Sequence, residues 1–243
     1  MLHTRDESTE GARQHRQGGE IKDLLASEDP LEFAERDTIT TGQLTSSDGS
    51  QVPYRILLGW NLALANRCDD TWGTFNMSLM RYIKAQGYTP KQLDAVLAGI
   101  QIDDDHWRWL EKSLAGKDAA YKWFFLAAEG EPQAACLVYH PKPSAVDGQG
   151  IFYIEFLAVA PWNRHNPMSE QAFKGVGTAV IRAACVYAIE VLHLRPGFCL
   201  HAIPRAVGFY QSIGMTQYPA HDKGVMPYFE MPQNSPMLAE LAP

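Results

Sequence analysis

The pattern of apolar and polar positions changes character twice along the chain. Over residues 1–50 it has little periodicity: charges are scattered, Gly18-Gly19 interrupts, and 38–50 is almost wholly polar. This predicts an N-terminal extension, partly disordered, with residues 1–20 as a mobile tail. Within it, Ile21, Leu24, Leu25 and Ala26 share one face of a short helical patch at 21–33. Residues 52–58, after Asp48-Gly49, form a β-prone run and read as a strand. From 61 to 114 the spacing is helical. Trp72, Phe75, Leu79, Tyr82 and Ile83 fall on one face of a helix that Asp70 or Thr71 would cap and Gly87 would end. Thr89-Pro90 then supplies an N-cap and first residue for a second helix. Asp103-Asp104-Asp105 precedes a third, where acidic residues favour the positive end of the helix dipole, which accounts for the run without a metal.

Beyond residue 118 the period shortens. Residues 121–128 and 133–139 are strand-like runs joined by a hairpin at 129–132, and a turn at 148–150 leads into a third strand, 151–159. That strand is apolar except for Glu155. A long apolar helix at 177–192, a strand at 198–203, a short helix at 205–213 and strands at 215–218 and 226–231 complete the chain. The order β-β-β-α-β-α-β-β is an α/β (α+β) arrangement without internal repeats.

Composition narrows the function classes. Of 243 residues, 46% are apolar and 20% charged, as in ordinary globular proteins. The net charge of −7 provides no global field for nucleic acid or anionic membrane, so neither is an expected partner. No apolar run reaches the roughly 18 residues of a spanning helix, and residues 1–20 lack a signal-peptide core, which points to the cytoplasm. The cysteines (Cys68, Cys136, Cys185 and Cys199) form no CxxC pair and sit among apolar residues. They read as buried free thiols in a reducing compartment rather than disulfides or zinc ligands.

Candidate chemistry lies between 151 and 215. Lys174-Gly175-Val176-Gly177-Thr178 runs straight into a helix, where glycines let backbone N–H groups approach an anion and the helix adds its partial positive charge. Two nucleotide loops are excluded: there is no Gly-Lys-Ser/Thr of a Walker loop, and Val180 stands where a Rossmann fingerprint needs its third glycine. Leu157-x-Val159-x-Pro161-x-x-Arg164, followed after an insertion at 165–172 by Lys174-Gly175-Val176-Gly177, resembles the first motif of the GNAT acetyltransferase superfamily. Ala206, Phe209, Tyr210, Gly214 and Met215 resemble its second. The resemblance covers about residues 121–231, and departs from the family at the insertion and at Ile203, where many members carry Asn.

The resemblance implies a GNAT fold: a mixed, strongly twisted central sheet with splayed parallel strands, flanked by helices. It implies a domain over 51–243, with helices at 61–115 and an acyl-CoA-binding core at 121–231. It implies acetyl-CoA as cosubstrate with no metal, and acetyl transfer to an amine on a small molecule, peptide or protein by direct attack in a ternary complex. Leu157, Ala158 and Val159 would hold the pantetheine arm by backbone groups. Arg164, Lys174, Gly175, Val176, Gly177 and Thr178 would hold the pyrophosphate. Tyr210 would be the general acid and Glu155 the base, with His201 an alternative base. A homodimer is a family-level expectation. The competing implication is a CoA-binding regulatory or effector module without turnover.

Overall fold

The computed structural model describes residues 38–115 and 119–240. The tail expected at 1–20 and the helical patch at 21–33 lie outside them. The strands are β1 (Thr38–Ser46), β2 (Gln51–Leu58), β3 (Tyr121–Ala128), β4 (Glu131–Pro143), β5 (Gly150–Val159), β6 (Phe173–Lys174), β7 (Phe198–His201), β8 (Thr216–Gln217) and β9 (Tyr228–Glu230). The helices are α1 (Leu62–Ala85), α2 (Pro90–Ala98), α3 (Trp109–Ala115), α4 (Val176–Glu190), α5 (Val207–Ser212) and α6 (Pro236–Ala239).

Among the described residues the strands form one open sheet in the order β6-β1-β2-β3-β4-β5-β7-β9-β8. Every pairing is antiparallel except β5 with β7. β3 and β4 are central and buried on both faces, which explains their unbroken apolar runs. They meet through Glu129 and Gly130, both at positive φ (53° and 76°), the backbone of a tight two-residue hairpin.

Each face of the sheet carries its own core. On one, Phe124, Leu126, Phe152, Ile154 and Phe198 pack against Val180, Ile181, Ala184 and Cys185 of α4. On the other, Trp123, Phe125 and Leu137 pack against Leu64, Cys68 and Trp72 of α1 and Trp109 of α3. Trp72, Trp109 and Trp123 meet edge to face at 5.5 and 6.2 Å inside this core. All four cysteines are buried free thiols. No helix among the described residues is long and apolar enough to cross a membrane.

Three local expectations are corrected. Residues 38–46, read as part of a polar extension, are strand β1. It pairs with β2 from Thr38 to Thr45 and leaves most side chains exposed, so its polar composition reflects a peripheral strand. Helix α1 starts at Leu62, capped by the Asn61 side chain accepting from the Leu64 N–H at 3.0 Å; Asp70 and Thr71 lie inside it. The neighbouring Asp69 caps a different helix, accepting from the N–H groups of Trp109 (2.7 Å) and Leu110 (3.0 Å) at the start of α3. The triple aspartate therefore precedes the capped end of α3 in a turn, and Asp104 is buried for another purpose.

Candidate active site

β5 and β7 pair for three residues only: Phe152 with Phe198, Tyr153 with Cys199, Ile154 with Leu200. Beyond that point β5 continues to Val159, whereas β7 ends at His201. A bulge coincides with the parting. On its other edge β5 pairs Ile154 with Val138 and Phe156 with Leu137, leaving Glu155 as the extra residue. A bulge bends its strand and increases local twist. It also resets the alternation: Phe152, Ile154, Leu157 and Val159 face the α4 core, whereas Phe156 and Ala158 face the tryptophan core. Strict alternation would place Glu155 on the face of Leu157 and Val159; the bulge removes that relation. Between the parted strands lies a cleft of about 860 Å³, within the usual size of small-molecule sites.

Helix α4 points its N-terminus at this cleft. Gly175 is its N-cap, at φ 76°, a left-handed conformation that favours glycine. The first bond into the helix runs from the Ala179 N–H to the Gly175 carbonyl at 2.9 Å. The N–H groups of Val176, Gly177 and Thr178 are therefore left without intrahelical partners, at the positive end of the dipole. A mostly antiparallel sheet, one parallel pair that forks, and bare helix amides at the fork form the arrangement the motif resemblance implies. The chain has the GNAT fold.

The GNAT fork brings all the expected site residues to one place. Glu155, Leu157, Ala158, Val159, Arg164, residues 174–178 and Tyr210 all line the cleft. They differ in state. Tyr210, on α5, is buried between Phe209 and Phe229, with ring centroids at 5.2 and 6.4 Å. Its hydroxyl has no hydrogen-bond partner among the described residues, and burial pushes its pKa above the phenol's usual range, so it keeps its proton. Lys174 is exposed beside the amides and has no carboxylate partner among the described residues.

Glu155 is exposed to solvent. The bulge turns it outward, so it avoids the desolvation cost of a carboxylate inside an apolar strand.

Arg164 is a second correction. Its guanidinium is buried and bound in both directions. It donates to both carboxylate oxygens of Asp104 at 2.6 Å, to the Val159 carbonyl through Nε (2.9 Å) and Nη2 (2.6 Å), and to the Gln101 carbonyl at 3.2 Å. All five N–H donors of the side chain are used, leaving none for a phosphate. Its structural consequence is local: it ties the free end of β5 to the 99–107 loop, which walls the cleft through Gly99, Gln101, Asp103, His106 and Trp107. The insertion at 165–172 is organised by Asn166, whose side chain accepts from the N–H groups of Met168 and Ser169 at 2.9 Å and donates to the Arg164 carbonyl at 3.1 Å. The chain then re-enters the sheet beside β1 as β6, whose last residue, Lys174, leads through Gly175 directly into α4.

The opposite face of the fork carries a side-chain pair that the sequence does not reveal. There Tyr153 and His201 meet, hydroxyl to Nδ1, at 2.8 Å, and His201 Nε2 contacts the His221 carbonyl oxygen at 2.9 Å. Nearby, Lys112 Nζ stands 3.3 Å from the Phe156 ring centroid and 5.0 Å from that of Trp107. Two polar aromatic residues inside otherwise apolar strands were the available signal; only pairing across the fork makes them neighbours.

No family model and no curated protein sequence matches the chain. Among solved structures, it is similar to the GNAT domain of PAT from S. lividans, at 11% identity, covering 82% of this chain and 99% of that one, with a TM-score of 0.47. It is similar to a GCN5-related N-acetyltransferase from Ralstonia eutropha JMP134, at 17% identity over 71% of this chain and 98% of that one, TM-score 0.38. A third is the PaiA N-acetyltransferase from Thermoplasma acidophilum, solved in complex with coenzyme A, at 10% identity over 72% of this chain and 98% of that one, TM-score 0.41.

Proposed function

We propose that this chain transfers an acetyl group from acetyl-CoA to a primary amine by direct attack at the GNAT fork. The observation that carries this reading is the cleft itself: one cavity holds the bare amides of Val176–Thr178 at one side and the buried, protonated Tyr210 phenol at another.

The residues fit acetyl-CoA in three ways. The α4 amides and the Lys174 ammonium suit a pyrophosphate. The unpaired edge of β5 beyond Ile154 offers backbone groups to an extended pantetheine arm, and a β5 N–H would polarise the thioester carbonyl. Tyr210 supplies a proton to the departing sulfur. Acetyl-CoA when bound supplies the activated acyl group, and no metal enters the scheme. Burial pushes all four thiols up, Cys199 to about 12, so none is suited to form a covalent acyl-enzyme. This supports direct attack.

The acceptor amine approaches from the opposite face, beside Glu155, Tyr153 and Trp107. An amine arrives as an ammonium and sheds one proton before attack; the exposed Glu155 carboxylate attracts the cation and is the base for that proton. The acceptor is a small molecule, peptide or protein bearing such an amine.

Thiol release from acetyl-CoA across a panel of amines tests this. Turnover that requires amine and yields the N-acetyl product supports it. Saturable binding of acetyl-CoA with no thiol release from any amine would instead favour a CoA-binding module without turnover.

A further inference from the structure

The acceptor side of the fork holds a second proton device. Tyr153 lies on β5 at its last but one pairing with β7, and His201 is the last residue of β7, so the two rings flank the point where the strands part. Both line the cleft. The His221 carbonyl, 2.9 Å from His201 Nε2, can only accept, so Nε2 carries the imidazole proton. Nδ1 is then a lone pair, and the Tyr153 hydroxyl donates to it at 2.8 Å. The tautomer is fixed by geometry: a phenol in the cleft, backed by an imidazole ready to receive its proton.

We propose that Tyr153 and His201 form a relay that takes the proton the amine nitrogen loses as it attacks. This rests on the acetyl-transfer reading and divides the proton traffic differently from Glu155, which meets the ammonium earlier. In the step, the N–H bond of the attacking nitrogen breaks and its proton binds the Tyr153 oxygen. The original Tyr153 O–H proton moves to His201 Nδ1. No free phenolate forms. His201 becomes an imidazolium held between the Tyr153 oxygen and the His221 carbonyl, and being only partly buried it returns the proton to solvent. Tyr153 is the catalytic residue of the pair, and His201 acts through it.

The surroundings fit the role. Desolvation lowers the His201 pKa below its ordinary 6.5, as do Lys223 and Lys142, against the opposing pull of the His221 carbonyl and Asp222. Tyr228 of β9 stacks edge-on to the ring at 5.2 Å, and the His221 ring packs on Tyr228 in turn. Tyr153 itself is pushed up to about 12 by burial, with Glu155 and Cys199 adding to the rise, so a lone phenolate is disfavoured and concerted transfer to His201 is the accessible path. The sign follows directly. A histidine with a depressed pKa is neutral and able to receive a proton throughout the neutral range, and loses that ability only as pH falls through a value below about 6.5.

The test is kcat against pH for the wild type, His201→Gln, Tyr153→Phe and Glu155→Gln, with acetyl-CoA and an amine that the wild type acetylates. Gln offers a donor and an acceptor but takes up no proton, and Phe keeps the ring. The expected result is a fall in kcat of about 100-fold for His201→Gln and Tyr153→Phe, with KM for acetyl-CoA unchanged and the acid limb below pH 6.5 gone. Glu155→Gln should keep that limb. If His201→Gln retains kcat and its acid limb, the relay is wrong while acetyl transfer stands. If the limb vanishes with Glu155→Gln instead, Glu155 takes both protons and the relay is equally wrong. A wild type that binds acetyl-CoA and acetylates no amine overturns acetyl transfer and the relay together.

Discussion

The two faces of the fork solve opposite electrostatic problems with different materials. On the proposed reading the α4 face receives a polyanion, yet it carries little fixed charge: three helix amides, one exposed lysine and a buried neutral phenol. On the same reading the other face handles a cation and its protons, and it is built from ionisable side chains: Glu155 and the Tyr153–His201 pair. Backbone dipoles can bind an anion inside a protein whose net charge is −7, because they act at contact range and need no net positive field. Moving protons requires groups that titrate, and these stand where water reaches them.

Between the faces runs a seam, the Arg164–Asp104 pair, and the largest expected effect is there. Asp104→Ala leaves a buried guanidinium without its carboxylate and should cost about 3–5 kcal/mol of stability, read from urea unfolding. A loss near zero would mean the seam does not hold β5 to the 99–107 loop. Tyr210→Phe comes next. It should lower kcat by about 100-fold or more, without weakening acetyl-CoA binding, if the α4 face supplies the proton for the thiolate. Gly175→Ala meets no atom within 4 Å, so its penalty comes from backbone alone, at φ 76°. About 1–2 kcal/mol of stability should be lost, with KM rising for acetyl-CoA and not for the amine. The smallest effect is expected from Glu155→Gln. Solvent can take over as base for the ammonium at this exposed position, so loss of the carboxylate should show mainly as a rise in KM for a cationic amine of up to about fivefold, more at low than at high salt. A rise for acetyl-CoA instead would place Glu155 on the wrong side of the comparison.

Legibility in the sequence followed burial. β3, β4, β5 and α4 are apolar runs because they are covered on both sides or along a broad face, and their order was readable. The glycine loop before α4 and the Phe209-Tyr210 pair were readable because their chemistry is local. β1 was not, since a peripheral strand with exposed side chains looks like a polar linker. The bulge at Glu155 left no mark, because an extra residue is defined only by what lies opposite on β4. Arg164 had the motif's identity, but its partner Asp104 is 60 residues away, hidden in a run of three aspartates that suits a helix start equally well. Tyr153 and His201 are 48 residues apart and become a pair only across the fork.

Acetyl transfer at the fork depends on where the thioester sits, and a crystal structure of the chain grown with coenzyme A tests that most directly. The expected result has the pyrophosphate on the amides of Val176, Gly177 and Thr178, the pantetheine along β5 past Leu157, and the sulfur at the fork within hydrogen-bond reach of the Tyr210 hydroxyl. Coenzyme A lying outside the fork, or entering it with its sulfur directed away from Tyr210, would contradict the account.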